Sequence, residues 1–479
     1  MPGDAIELSD AVLPQLRDRG LIGPSYDRRR LRPRIAHIGV GGFHRAHLAV
    51  YCDLLARRGS DWGIRGIGLL PGDVAMADVL AAQDHLYTFT EKGPVDRRSS
   101  VIGSIIDFVL ATDEGAAGAV DALADPPTAI VSMTVTEAGY DDTLRNRRTF
   151  DTIVAALERR RRRDVAGVAV MSCDNLPGNG DAARRCVLAA AARAVDSTGT
   201  ADGELVGWID ANCSFPNSMV DRITPVTTDV DRDHLLAEHG LVDRWPVVGE
   251  PFWQWVLEDD FSAGRPEFSD VGALYTDDVH AWELYKLRLL NAGHSAIAYL
   301  SALAGIEFVD QAMATPSIRA FLERLLHHEA VPSLTPIAEH PAADYANTVV
   351  ERFANTGVRD QIARLCIDGT SKFPTFLMPT IATQLRSGGP VADAAMALAG
   401  WAHYLATVPE SAQAPDALAE RSRPLARAAR KDPATFVDRA TGFPDAIVAS
   451  ERFVAEFSLA HQTIAEYGAL GALESSRRS

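Results

Sequence analysis

The sequence predicts an α/β, Rossmann-type N-terminal domain with a parallel sheet, followed by a mostly α-helical C-terminal domain. Three observations carry this. Short apolar runs alternate with helical patterns through the first half, as in a parallel sheet flanked by helices. A glycine-rich turn, Gly39-Val40-Gly41-Gly42, stands at the end of the first run. From about Ala281 the strand signals fade and long patterns rich in alanine and leucine take over. The reading therefore divides the chain into residues 1–280 and 281–479, and 479 residues suffice for two or three domains with large cores.

Taken in order, residues 36–40, 64–69, 101–106, 129–135 and 165–171 read as buried strands, being short, apolar and bounded by turn residues. Residues 205–212 read as a further crossing element, and Pro216 to Pro225 as an irregular loop with a helical turn. Helical periodicity then predicts helices over 284–304, 318–328, 359–366, 391–407, 418–430 and 446–460, separated by Pro- and Gly-rich breaks at 387–390 and 409–415. The run Arg159 to Arg163 reads as a solvated helix end.

Composition narrows the function. Hydrophobic residues make up 47% and charged residues 23%, as in globular proteins generally. A formal net charge of −17 argues against nucleic acid or an anionic membrane as the main partner, though not against a local basic pocket. Five scattered cysteines without a CxxC pair suit a reducing compartment and imply no disulfide framework or zinc cluster. The start, MPGDAIELSD, lacks the basic and apolar regions of a signal peptide, and no apolar run reaches the ~18 residues that span a bilayer. The expected compartment is the cytoplasm.

Two segments carry chemistry. In RIAHIGVGGFHRAH a strand runs into Gly39, Gly41 and Gly42 and then into a helical pattern. Glycines there let the backbone approach a pyrophosphate, whose charge is favoured at a helix N-terminus. His44 stands where the third glycine of the fingerprint belongs. After the second strand comes Asp73, which reads either as the acid that binds the ribose hydroxyls of NAD or as a helix N-cap. In KLRLLNAGH, an α-helical step of about 100° per residue places Lys286, Asn291 and His294 within an arc of about 140°. An amine, an amide and an imidazole on one helix face can take a proton from an alcohol, hold the oxygen left behind and orient the base. A free lysine, with a pKa of about 10.4, needs burial or neighbouring positive charge to do this at neutral pH. Each residue also has a plain alternative: a solvated lysine, a core histidine. His44 and His47 have no third ligand near in sequence, so no metal site is expected.

These segments, with VSMTVTEAGY, MSCDNLPGNG, SFPNSMVDRITP, WPVVGEPFWQWVLEDDF and RLCIDGTSKFP in the same order, resemble the polyol-specific long-chain dehydrogenase/reductase family over nearly the full length. The resemblance implies a zinc-independent, NAD-dependent oxidoreductase that interconverts a polyol and its 2-ketose, such as D-mannitol and D-fructose, D-arabinitol or D-sorbitol. It implies Lys286 as general base, Asn175 and Asn291 as oxyanion-stabilising amides and His294 beside them. Asp221, Arg364 and Lys372 are implied as substrate-hydroxyl contacts. Gly39, Gly41, Phe43 and Arg45 match the cofactor loop, Asp73 the acid that favours NAD, and Thr136 and Glu137 the approach to the nicotinamide. The family habit is a monomer acting on a small molecule. Ala292-Gly293 departs from the family's Gly-small order after the asparagine and bears on substrate preference. Two other readings stay open: a reductase of sugar acids (fructuronate to mannonate) on the same fold, and a catalytically silent NAD-binding sensor.

Overall fold

Strands that are apolar on both faces need cover on both sides, and the first half of the chain folds accordingly. The computed structural model describes residues 5–113, 115–140, 147–198 and 204–475. The chain divides into two units, Met1–His280 and Ala281–Ser479. In the first, strands β1 (Arg32–Ile38), β2 (Trp62–Gly68), β3 (Ile105–Leu110), β4 (Ile130–Met133) and β5 (Ala169–Ser172) form a sheet of order β3-β2-β1-β4-β5. Every pairing in it is parallel. Successive side chains alternate between faces. Ile35, Ile130 and Ala169 enter one core with the helix Leu48–Arg57; Ala36, Val131 and Val170 enter the other with helices Arg147–Arg162 and Asn179–Thr198.

Several strand expectations need correction. The run 101–106 is not one strand. Arg97–Ile102 pairs antiparallel with Tyr87–Lys92 in a second sheet, while β3 starts at Ile105. Between them the chain is pinned by the Gly103 N–H on the Asp53 carboxylate (2.9 Å) and the Ser104 hydroxyl on the Ala49 carbonyl (2.6 Å). The apolar pattern runs through this bend because Val101 and Ile102 before it and Ile105 after it are all buried. The stretch expected as an irregular loop holds a strand, Ser218–Asp221, antiparallel to Gln254–Leu257. Its partner is remote in sequence, so no local pattern marks it. Residues 205–212 form a helix, Leu205–Asn212. The arginine run is only partly a solvated end. Arg160 is buried and donates to the carbonyls of Ala166 (2.7 Å) and Asp125 (2.9 Å), while Arg161 and Arg162 reach back to Glu158.

The second unit is helical around one core containing Tyr299, Phe321, Phe353, Phe373 and Trp401. The helix Ala392–Thr407 is apolar on nearly every face and is enclosed by its neighbours, as such helices must be. Glu329 caps it from another segment, accepting from the N–H groups of Asp393 (2.7 Å) and Ala394 (2.9 Å). The expected helix over 284–304 is present but not uniformly α: Val279–Tyr285 leads into a π turn, Lys286–Asn291, and then Ala292–Leu303. A second π turn, Leu325–Ala330, ends the helix expected over 318–328. The last helix, Glu451–Ser475, runs well past the expected end, with a break at Gly468. Among the described residues no helix is long and apolar enough to cross a membrane.

Burial holds His37 and His294 at pKa values of about 3 and His461 at about 4, against 6.5 for a free imidazole. The unfolded chain therefore binds protons that the folded chain refuses. The stability these three imidazoles contribute is full above about pH 6.5 and falls as the pH drops toward 4. The midpoint of thermal unfolding should decline steadily across that range; a flat profile would show that these imidazoles are not held neutral.

Candidate active site

The sheet order reverses at β1, and the loops after β1 and β4 open on that switch point, where α/β sheets bind ligands. Gly39, at the end of β1, has φ +90°, and a Cβ there would lie 2.3 Å from the Thr134 carbonyl oxygen. Its own carbonyl accepts from the Thr134 hydroxyl (2.7 Å) and the Gly41 N–H (2.7 Å), with His37 Nε2 at 3.2 Å. Gly39 is the turn glycine. Gly41 is different: its φ is −101°, and a Cβ there would meet nothing closer than the Gly39 carbonyl at 3.9 Å. A Cβ on Gly42 would meet only Thr224, at 3.8 Å. Among the described residues no neighbour requires either position to lack a side chain. Their bare backbone leaves room at the start of Gly42–Ala46, as a pyrophosphate needs.

The histidine in place of the third glycine is explained by stacking. His44 lies flat on His37, ring centroids 3.4 Å apart and planes 14° apart, which allows the close helix–strand approach that glycine usually provides. Burial holds His44 far below the usual imidazole pKa, so both rings are neutral. Phe43 stacks on His47 at 5.0 Å. Arg45 points into the protein: it is 2% exposed, its Nη1 donates to the Trp245 carbonyl (2.5 Å), and its guanidinium lies over the Tyr87 ring.

Asp73 follows β2 in the turn Pro71–Asp73. One carboxylate oxygen accepts the Leu70 N–H (2.8 Å) and the other has no hydrogen-bond partner among the described residues, so the side chain caps its turn and still offers an acceptor. Past β4, Thr136 and Glu137 are exposed. Thr136 has φ +67°, which a β-branched residue rarely adopts. The Asp174 carboxylate accepts its N–H (2.7 Å) and that of Val135 (3.1 Å). Asn175 is exposed on the loop after β5, and Asp221 is buried at the end of Ser218–Asp221. Arg222 pairs with Glu91 (2.7 Å).

In the second unit the π turn alters the expected arc. Its i→i+5 bonding, seen in the Ala292 N–H on the Leu287 carbonyl, brings residues five apart into successive turns of one face. Lys286 and Asn291, the two ends of that turn, therefore lie closer together around the axis than the α-helical ~140°. His294 stacks on Phe353, centroids 3.9 Å and planes 8° apart, and its Nε2 is buried without a partner among the described residues. Burial is the largest influence on its pKa; Asp360 opposes it and Arg364 adds to it. Arg364 is gripped by Asp360, Nε to Oδ1 at 2.7 Å and Nη2 to Oδ2, yet keeps 56% of its side-chain surface exposed. Lys372 donates to the Leu365 carbonyl (3.2 Å), and burial, then Arg364, lowers its pKa.

The structure thus places Asp73 and the glycine loop, Thr136, Glu137 and Asn175 just past strand ends of the first unit. It groups His294, Arg364 and Lys372 in the second. Sequence reasoning missed Asp174, Asn179, His37 and Asp360. Only Asp360, four residues before Arg364, carried a local signal. Among the described residues no three His, Cys, Asp or Glu side chains converge on a metal position.

The family model for the mannitol dehydrogenase Rossmann domain matches residues 33–270, and that for the mannitol dehydrogenase C-terminal domain matches residues 278–465. The chain belongs to the mannitol dehydrogenase family. It is 40% identical to a mannitol 2-dehydrogenase of Aspergillus fumigatus over 94% of each chain, and 39% identical to one of Cereibacter sphaeroides over 94% of this chain and 98% of that one. Its structure is similar to that of Pseudomonas fluorescens mannitol 2-dehydrogenase in ternary complex with NAD and D-mannitol: TM-score 0.84, 40% identity, 99% of this chain and 100% of that chain. It also matches a substrate-free D-sorbitol dehydrogenase, with TM-score 0.88, 32% identity and coverage of 98% and 100%.

Within this family fold the two loop glycines should respond oppositely. Gly39→Ala should lower unfolding free energy by about 1–3 kcal/mol or more, from strain and the clash with Thr134. Gly41→Ala should leave it nearly unchanged. Denaturant unfolding of both variants checks this.

Proposed function

We propose that this chain is an NAD-dependent polyol dehydrogenase. It interconverts a polyol and its 2-ketose, D-mannitol and D-fructose or a close relative, with a lysine as general acid/base and no metal in the chemistry. The observation that carries this reading is the π turn with Lys286 and Asn291 at its ends and a neutral imidazole three residues on. Family membership supports it.

The bare backbone at Gly41 and Gly42 receives the pyrophosphate, with Gly39 making the turn and Phe43 and Arg45 packing the loop from within. The open oxygen of Asp73 accepts from a ribose hydroxyl and repels a 2′-phosphate. Thr136 and Glu137 stand at the nicotinamide end. When bound, NAD accepts a hydride from the carbinol carbon. Lys286 takes the hydroxyl proton at Nζ and returns it in the reverse direction. Asn175 and Asn291 donate N–H bonds to the oxygen as charge builds, which a pair of neutral donors does without raising the base's affinity for its proton. His294, at a pKa of about 3, is too weak a base for neutral pH and serves to orient its neighbours.

Asp221, Arg364 and Lys372 bind the remaining hydroxyls. The Asp360 carboxylate neutralises Arg364, which favours an uncharged polyol over a sugar acid. The retained lysine, asparagines and histidine argue for turnover over silent cofactor sensing.

NADH formation from NAD+ and a panel of C5 and C6 polyols tests the reading, and no absorbance rise with any of them would remove it. Lys286→Ala should abolish most turnover, keep NADH binding and respond to added small amines; near-normal turnover would place the base elsewhere. Asp360→Asn should raise kcat/KM for mannonate relative to mannitol by about tenfold, through the added positive charge. An unchanged ratio would take Arg364 out of substrate recognition.

A further inference from the structure

We infer that Asp174 is a positioning residue for this reaction, its carboxylate holding the segment after β4 while its own peptide fixes Asn175. The inference rests on the function proposed above.

Thr136 is the starting point. Its φ of +67° is strained for a β-branched residue and persists only where surroundings impose it. What imposes it is Asp174. Oδ1 accepts the Thr136 N–H (2.7 Å), and Oδ2 accepts the Val135 N–H (3.1 Å) and the Tyr140 hydroxyl (2.8 Å). One carboxylate thus ties both ends of the 135–140 segment. On its other side the Asp174 carbonyl accepts from Asn179 Nδ2 (3.1 Å), and Asn179 is bonded in turn to Ser218 through the Ser218 carbonyl (2.8 Å) and N–H (2.9 Å). The peptide that joins Asp174 to Asn175 is thereby anchored to the strand that ends at Asp221.

Asp174 is 6% exposed, and among the described residues no lysine or arginine forms an ion pair with its carboxylate. A buried carboxylate compensated only by N–H and O–H donors is a poor device for stability alone. It is well suited to setting backbone geometry, because its two oxygens accept three donors at once. Burial pushes its pKa up, and the bonds from Val135, Tyr140 and Thr136 pull it back. The loops it joins carry Thr136 and Glu137 on one side and Asn175 on the other.

Asp174→Asn keeps the shape but turns one acceptor into a donor that faces donors. In the cofactor-free protein, hydrogen–deuterium exchange across 134–140 should accelerate while the other sheet segments keep their rates. In the enzyme, kcat should fall about 10²-fold, the effect of a small misplacement of reacting groups. The isotope effect with polyol deuterated at the reacting carbon should rise. Adding Thr136→Gly, which adopts positive φ without strain, should restore part of the protection. Normal exchange and near-normal kcat in Asp174→Asn would overturn the inference. So would failure of both Asp174→Asn and the double variant to fold, since Asp174 would then serve folding alone. If the wild-type protein turns over no polyol, the proposed function fails on its own, whatever the exchange pattern shows.

Discussion

A parallel sheet covered on both faces leaves its strand ends as the places where backbone can meet a ligand. β1, β2, β4 and β5 run the same way, so the loops that leave them emerge along one edge. The reversal of order at β1 separates two of those loops at the switch point. Gly39 and Gly41, Asp73, Thr136 and Asn175 each lie within a few residues of such an end. Their placement follows from sheet topology, and their local conformations follow from what is packed beneath: Thr134 under Gly39, His37 under His44, Asp174 under Thr136.

Within each unit the surroundings fix the charge of several polar groups. Burial keeps His37, His44 and His294 neutral. The ion pair with Asp360 holds Arg364 charged but compensated, its bonds outweighing burial, which acts the other way. Asp174 meets hydrogen-bond donors in place of a counter-ion. Under the proposed function this leaves proton transfer to one amine, and the rest of the constellation gives a fixed field in which charge on the substrate oxygen can grow.

Much of this was legible in the residues. The two-part architecture, four of the five central strands and the glycine turn follow from short-range pattern, because burial on both faces and a left-handed turn each leave a local mark. What was not legible came from distant partners. The run through Gly103 and Ser104 looks like one strand because two sheets draw on the same apolar composition. Ser218–Asp221 takes its strand form from Gln254–Leu257. Arg160 stands in a charged run that periodicity assigns to solvent, yet it satisfies carbonyls at the base of its helix. His44 breaks the glycine fingerprint on paper and satisfies its packing requirement in space.

The sequence by itself determined the classes of element, the residue types of the candidate chemistry and their spacing, since propensity, burial pattern and spacing are properties of neighbouring residues. Only the tertiary structure decided the π turn at Lys286–Asn291, the neutral state of His294, the pairing of Arg364 with Asp360 and the grip of Asp174 on Thr136. Each depends on groups brought together by packing: a helix takes an extra residue into one turn, a ring loses its water, a carboxylate finds donors on another strand's loop. No local pattern encodes these, because their energies arise from contacts and desolvation that exist only once the chain has folded.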